Sequence, residues 1–132
     1  ARFGMTAINV GLFCFGPGVP LSYSVGRKKS LELLLTGDLI NAQEAERIGL
    51  VNRVVPQQDL EETVMVLARK LASKSPIALQ AGKQAFYTMA GMEYKKALTY
   101  SEDVEVILAS TYDAEEGMRA FLEKRTPQWK GH

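Results

Sequence analysis

Apolar and polar positions divide this chain into a mixed front and a helical remainder. Residues Ile8 to Phe15 combine β-branched and aromatic side chains with Gly11, then meet Gly16-Pro17-Gly18, a dense set of turn formers. The pattern predicts a short strand or extended segment followed by a loop. From about Val19 to Leu35 the apolar positions Leu21, Val25, Leu31, Leu34 and Leu35 suit helix, interrupted near Gly26 and stopped at Thr36-Gly37. That predicts a helical pair or one broken helix. Asn41 followed by Glu44 has capping-box spacing, so Ala42 to Ile48 reads as a short helix with Gly49 just beyond it. Leu50 to Val55 is rich in β-branched residues and ends at Pro56, as a short strand would.

After Pro56 the period is helical throughout. Leu60, Val64, Leu67 and Leu71 share one face, with Glu61, Glu62, Arg69, Lys70 and Lys74 largely elsewhere. Ser75-Pro76 restarts the chain as a cap followed by proline at the first helical position, and a helix from Ile77 to about Met89 closes near Gly91. A longer helix runs from about Glu93 to Ser110. Asp113, with Glu116 three residues later, is expected to cap a last helix reaching Lys124. The fold class is therefore mixed α/β in a mostly helical chain, with one or two short strands near the front.

Composition narrows the function classes. A chain of 132 residues with 46% apolar residues fits one small domain. Sixteen Lys and Arg against fifteen Asp and Glu are interspersed, without the basic stripe that nucleic acid binding needs, so no nucleic acid partner is expected. The single Cys14 forms no internal disulfide, and the single His132 leaves no His/Cys set, so no metal is expected. An intracellular compartment, cytoplasm or mitochondrial matrix, fits better than secretion. No apolar run reaches the ~20 residues that span a bilayer, and no membrane span is expected. Ala1-Arg2-Phe3-Gly4 enters an apolar stretch without an initiator methionine, which reads as a cut N-terminus.

One string is distinctive. Leu35-Thr36-Gly37-Asp38-Leu39-Ile40-Asn41-Ala42-Gln43-Glu44-Ala45, continuing through Gly49-Leu50-Val51-Asn52, closely resembles the signature of the crotonase (enoyl-CoA hydratase/isomerase) superfamily. Glu116-Gly117-Met118-Arg119-Ala120-Phe121-Leu122-Glu123-Lys124-Arg125 resembles that family's closing helix. The likeness covers essentially the whole chain, and Phe3-Gly4 corresponds to a point about midway through a full family member. The resemblance implies a C-terminal half: residues 1–56 the end of a ββα spiral core, residues 57–132 a helical region that builds homotrimers or hexamers.

The resemblance also implies chemistry. The family polarises an acyl-CoA thioester carbonyl with two backbone N–H donors that stabilise enolate-like charge. Those donors correspond to polypeptide ahead of Ala1. Hydratases add two glutamates that activate water by general acid and base catalysis. The second of them corresponds to Ala7, so no catalytic residue is assigned within this chain, which on its own is expected to be inactive. Within the family the sequence resembles the hydratase domain-containing subtype that lacks this glutamate.

Candidate binding residues follow from the same likeness. The Gly-rich loop reads Leu12-Phe13-Cys14-Phe15-Gly16-Pro17-Gly18, and Phe13, Phe15 and Gly16 are expected at an acyl pocket, with ordinary core packing as the alternative. Phe121 and Lys124 match positions that reach the coenzyme A of a neighbouring subunit, by packing and by charge on its phosphates, and their spacing of three would put both on one helical face; a core phenylalanine and a solvated lysine are the alternative. Cys14 lacks a nearby histidine and reads as structural. Lys83, Lys95-Lys96 and Arg27-Lys28-Lys29 read as solvated surface. Coenzyme A would enter as part of the substrate, with no separate cofactor. Three functions compete: an enoyl-CoA hydratase (a lyase of fatty acid metabolism), a non-hydratase isomerase, thioesterase-like or weak acyl-CoA-binding member, and a structural oligomerisation module.

Overall fold

In the computed structural model, which describes residues 1–132, Arg2–Phe3 form strand β1, antiparallel to β2 at Ile40–Asn41, with Arg2 opposite Asn41 and Phe3 opposite Ile40. Strands of two residues carry no periodic signal, and this pairing is not visible in the hydrophobic pattern. The chain separates into two units, Ala1–Leu60 and Glu61–His132.

In the first unit the expected strand at Ile8 to Phe15 does not form. Thr6–Val10 is a 3₁₀ turn closed by Gly11 at φ 76°, with the Gly11 N–H donating to the Ile8 carbonyl (3.2 Å) and the Leu12 N–H to the Ala7 carbonyl (3.0 Å). Local acceptors satisfy these donors, and left-handed Gly11 turns the chain back before a ladder can begin.

The expected loop at Gly16-Pro17-Gly18 is instead the first turn of α1, Phe15–Val25. Pro17 loses nothing there, because first-turn N–H groups have no intrahelical acceptor. Gly26 (φ 79°) separates α1 from α2, Arg27–Thr36, at the expected break, and Gly37 (φ 67°) ends α2. Gly18 lets the two helices close up, since a Cβ there would stand 3.3 Å from a Leu34 methyl. Leu21, Leu33 and Leu34 form the buried centre, flanked by Met5, Phe13, Cys14, Val25, Ile40, Ile48 and Leu50.

Helix α3, Ala42–Arg47, starts as read: the Asn41 side chain accepts from the Glu44 N–H (2.8 Å). The Glu44 carboxylate turns to Arg47, receiving from Nε and Nη2 at 2.6 and 2.7 Å. The expected strand at Leu50 to Val55 is an irregular extended segment. Its donors go to local acceptors, Leu50 and Val51 N–H to the Ala45 carbonyl and Val54 N–H to the Glu46 carboxylate.

The four helices expected after Pro56 are present: α4 Leu60–Ala72, α5 Pro76–Met89, α6 Tyr94–Ala109 and α7 Tyr112–Leu122. Ser75 caps α5 by accepting from the Ala78 N–H, and the Glu93 side chain caps α6. Two readings of α7 need correction. Its cap is Thr111, whose hydroxyl accepts from the Ala114 N–H (3.2 Å), while Asp113 lies inside the helix and is buried. The helix ends at Leu122, two residues short of Lys124. Lys124 takes the left-handed conformation (φ 54°), its N–H donating to the Phe121 carbonyl and that of Arg125 to the Ala120 carbonyl. That pair of bonds is a Schellman stop, here with lysine where glycine is usual. The apolar stripe of α4, Leu60, Val64, Leu67 and Leu71, remains 43–55% exposed, as do Val106 and Ile107 of α6 to a greater degree.

Candidate functional site

Two places carry candidate chemistry, one in each unit. In the first, Phe13 and Phe15 stand with ring centroids 4.9 Å apart and planes tilted by 59°. They line an open groove of about 1000 Å³ along α1 and α2, together with Val19, Tyr23, Leu31 and Leu34. Gly16 faces open space and is not among the lining residues. Cys14 is half-buried against the leucine core, as a structural residue would be. Ala7 sits in the 3₁₀ turn with its carbonyl closing that turn, and its methyl offers no proton donor or acceptor.

Sequence reasoning missed Ser30. It is 2% exposed, lines the groove, and its hydroxyl has no hydrogen-bond partner. Arg27 and Lys28 line the same groove. Lys29 instead pairs with Glu32 (2.6 Å) and Glu44 (3.7 Å), and the hydrogen bond it donates to the Glu32 carboxylate raises its ammonium above the usual lysine range. The available signal was the sequence Arg27-Lys28-Lys29 at the start of a helix, where the macrodipole disfavours cations.

In the second unit, two carboxylates one turn apart on α7 gather the C-terminal residues. Glu116, 2% exposed, accepts from Arg125 Nη1 and Nη2 (2.6 and 2.9 Å), from Arg119 Nη2 (3.1 Å) and from the Gln128 N–H (2.8 Å). The Arg125 bonds, with the Gln128 N–H, hold this carboxyl far below the usual carboxylate range. The same contact raises Arg125. Asp113 accepts from the Ser75 hydroxyl (2.6 Å) and from the Lys130 and Gly131 N–H groups (2.7 and 3.2 Å). Burial works to raise the Asp113 carboxyl, and these bonds outweigh it and lower it. The Trp129 indole N–H donates to the Ser73 carbonyl (2.8 Å), and its ring lies over Gly117.

The two residues expected to meet coenzyme A lie in sequence between Glu116 and Arg125, which this clasp joins. Phe121 is 82% exposed among residues 1–132. Lys124 is exposed on the left-handed turn that Arg125 anchors, so the two are joined by the helix stop rather than by a shared helical face. Lys83, Lys95 and Lys96 are exposed on α5 and α6. No group of three His, Cys, Asp or Glu side chains converges, and no helix is long and apolar enough to cross a membrane.

Comparison with known proteins agrees across the whole length. The family profile described as Enoyl-CoA hydratase/isomerase matches residues 1–132. Human enoyl-CoA hydratase domain-containing protein 3, mitochondrial, is 42% identical over 129 residues, 98% of this chain and 43% of that protein. The 2,3-dehydroadipyl-CoA hydratase of Escherichia coli is 39% identical over 132 residues, 99% of this chain and 52% of that protein. Among solved structures, an enoyl-CoA hydratase from Mycobacterium smegmatis has a TM-score of 0.94 at 40% identity, covering 98% of this chain and 50% of that one. The chain spans about half the length of the curated relatives it matches. With a signature string, a helical fold and a full-length profile match in agreement, this chain belongs to the enoyl-CoA hydratase/isomerase family of the crotonase superfamily.

Proposed function

We propose that the protein handles acyl-CoA thioesters, nominally as an enoyl-CoA hydratase that adds water to a trans-2-enoyl-CoA. In this reading a backbone oxyanion hole, on polypeptide with no counterpart among residues 1–132, stabilises the thioester enolate. The present chain contributes the groove beside Phe13 and Phe15 to the acyl chain, and Phe121 with Lys124 to coenzyme A. The observation that carries it is the exposed Phe121 ring next to a lysine held in a left-handed turn. A large apolar ring left in water, beside a cation on a strained and fully hydrogen-bonded turn, suits an adenine face and a phosphate. The half-exposed stripe of α4 suits burial between copies in a homotrimer or hexamer. A cytoplasmic or mitochondrial matrix setting accords with the mitochondrial names of several relatives.

A second reading has its own support in Ala7. Without a carboxylate there, water activation loses one partner, and a weak acyl-CoA-binding member, or one with isomerase or thioesterase-like chemistry, becomes the better description. Hydration of crotonyl-CoA, followed by loss of the enoyl thioester's ultraviolet absorbance, separates the two. Turnover above the uncatalysed rate supports the hydratase. No turnover, together with calorimetric binding of coenzyme A and a gain of activity in Ala7→Glu, supports the second. Absence of coenzyme A binding under all conditions sinks both and leaves a structural oligomerisation module.

A further inference from the structure

We propose that the groove along α1 and α2 receives an acyl chain ending in a carboxylate, with Ser30, Arg27 and Lys28 selecting that anionic end. This rests on the acyl-CoA reading and adds the class of acyl group. The groove wall is chiefly apolar, with the paired rings of Phe13 and Phe15 beside Leu31 and Leu34. Its polar equipment consists largely of hydrogen-bond donors.

Three observations point the same way. A serine within a helix ordinarily gives its hydroxyl to the carbonyl four residues back. Ser24 does so with the Pro20 carbonyl (2.9 Å), whereas the Ser30 hydroxyl is buried without a partner. An unpaired buried hydroxyl is costly, and a ligand acceptor would relieve it. Next, Arg27, Lys28 and Lys29 occupy the first turn of α2 with no acidic residue beside them in that turn, the end of a helix that favours anions. Lys29 is compensated by Glu32 and Glu44, whereas no carboxylate lies within ion-pairing distance of Arg27 or Lys28. Finally, the first N–H groups of α2 have no intrahelical acceptor and add further donors at the same end. An apolar wall ending in donors without acceptors complements an apolar tail ending in an anion. A neutral alkyl end would leave the hydroxyl unpaired and the two exposed cations paired only with water.

The test compares octanoyl-CoA with the coenzyme A monothioester of octanedioic acid, two ligands that differ at the distal end, by calorimetry on the intact protein. The carboxylate-ended ester is expected to bind at least about tenfold more tightly, the effect of one charge-assisted contact in a part-buried site. The ratio should fall towards one in Arg27→Gln/Lys28→Gln and, separately, in Ser30→Ala. Equal affinities in the unsubstituted protein overturn the inference while leaving the acyl-CoA reading intact. Should neither ester bind, amide chemical shifts of residues 27–34 during titration with sodium octanoate and with octanol decide the point without coenzyme A. Shifts with octanoate and not octanol uphold an anion-selective groove and remove the acyl-CoA reading; shifts with both or with neither remove the inference.

Discussion

Replacing Lys124 with glycine should make the protein more stable and its coenzyme A binding weaker. Lys124 holds φ 54°, where a Cβ crowds its own backbone at a cost of about 1–2 kcal/mol. Glycine removes that crowding but gives the unfolded chain extra freedom, which returns about 0.4–1 kcal/mol to the unfolded side. The net expected gain is about 0.5–1 kcal/mol, or a rise in Tm of about 2–4 °C for a chain of this size. The two Schellman bonds, from the Lys124 and Arg125 N–H groups, are made by backbone and survive the change. Loss of the ammonium removes a single exposed ion–phosphate contact worth about 1 kcal/mol, a weakening of roughly fivefold that shrinks as salt is raised. Scanning calorimetry and coenzyme A titration of both proteins at low and high salt read the two effects together. A lower Tm refutes the assignment of strain at Lys124. An unchanged affinity at low salt refutes its contact with phosphate.

Gly37→Ala should be severely destabilising, because φ is 67° and a Cβ would fall 2.7 Å from Asn9 Oδ1 and 2.8 Å from Ile8 Cγ2. A loss of about 2–4 kcal/mol is expected in urea unfolding, and an unchanged midpoint would contradict it. Acid should loosen the C-terminal clasp. The Glu116 and Asp113 carboxyls are both lowered in the fold, so their contribution is complete above the unfolded carboxyl range near pH 4. It is lost as pH falls through the folded values. The urea midpoint of unfolding, followed by Trp129 fluorescence, should therefore fall as pH drops below about 4 and stay level above it. A midpoint unchanged between about pH 5 and pH 2 would count against the clasp.

Local features were legible because local physics sets them. The stop at Gly37, the Asn41 and Ser75 caps, the break at Gly26 and the four later helices each depend on backbone freedom or hydrogen bonds within a few residues. The family string around Leu35 to Asn52 was legible for the same reason: it spells a stop, a cap and a second stop in order. The resemblance singled out Phe13 and Phe15, which line the groove, and Phe121 and Lys124, which are exposed.

Contacts between distant residues were not legible. Ile8 to Phe15 and Leu50 to Val55 have strand composition, yet a strand needs a partner, and here carbonyls such as those of Ala7 and Ala45 take their donors. Asp113 has the chemistry of a cap, but Thr111 is placed to serve, freeing Asp113 for Ser75 and the backbone of residues 130–131. Ser30 reads as one more helical serine until the α1–α2 packing buries its hydroxyl without a partner. A side chain's period and type state what it can bond; burial and the geometry of residues far along the chain decide which of those bonds it makes.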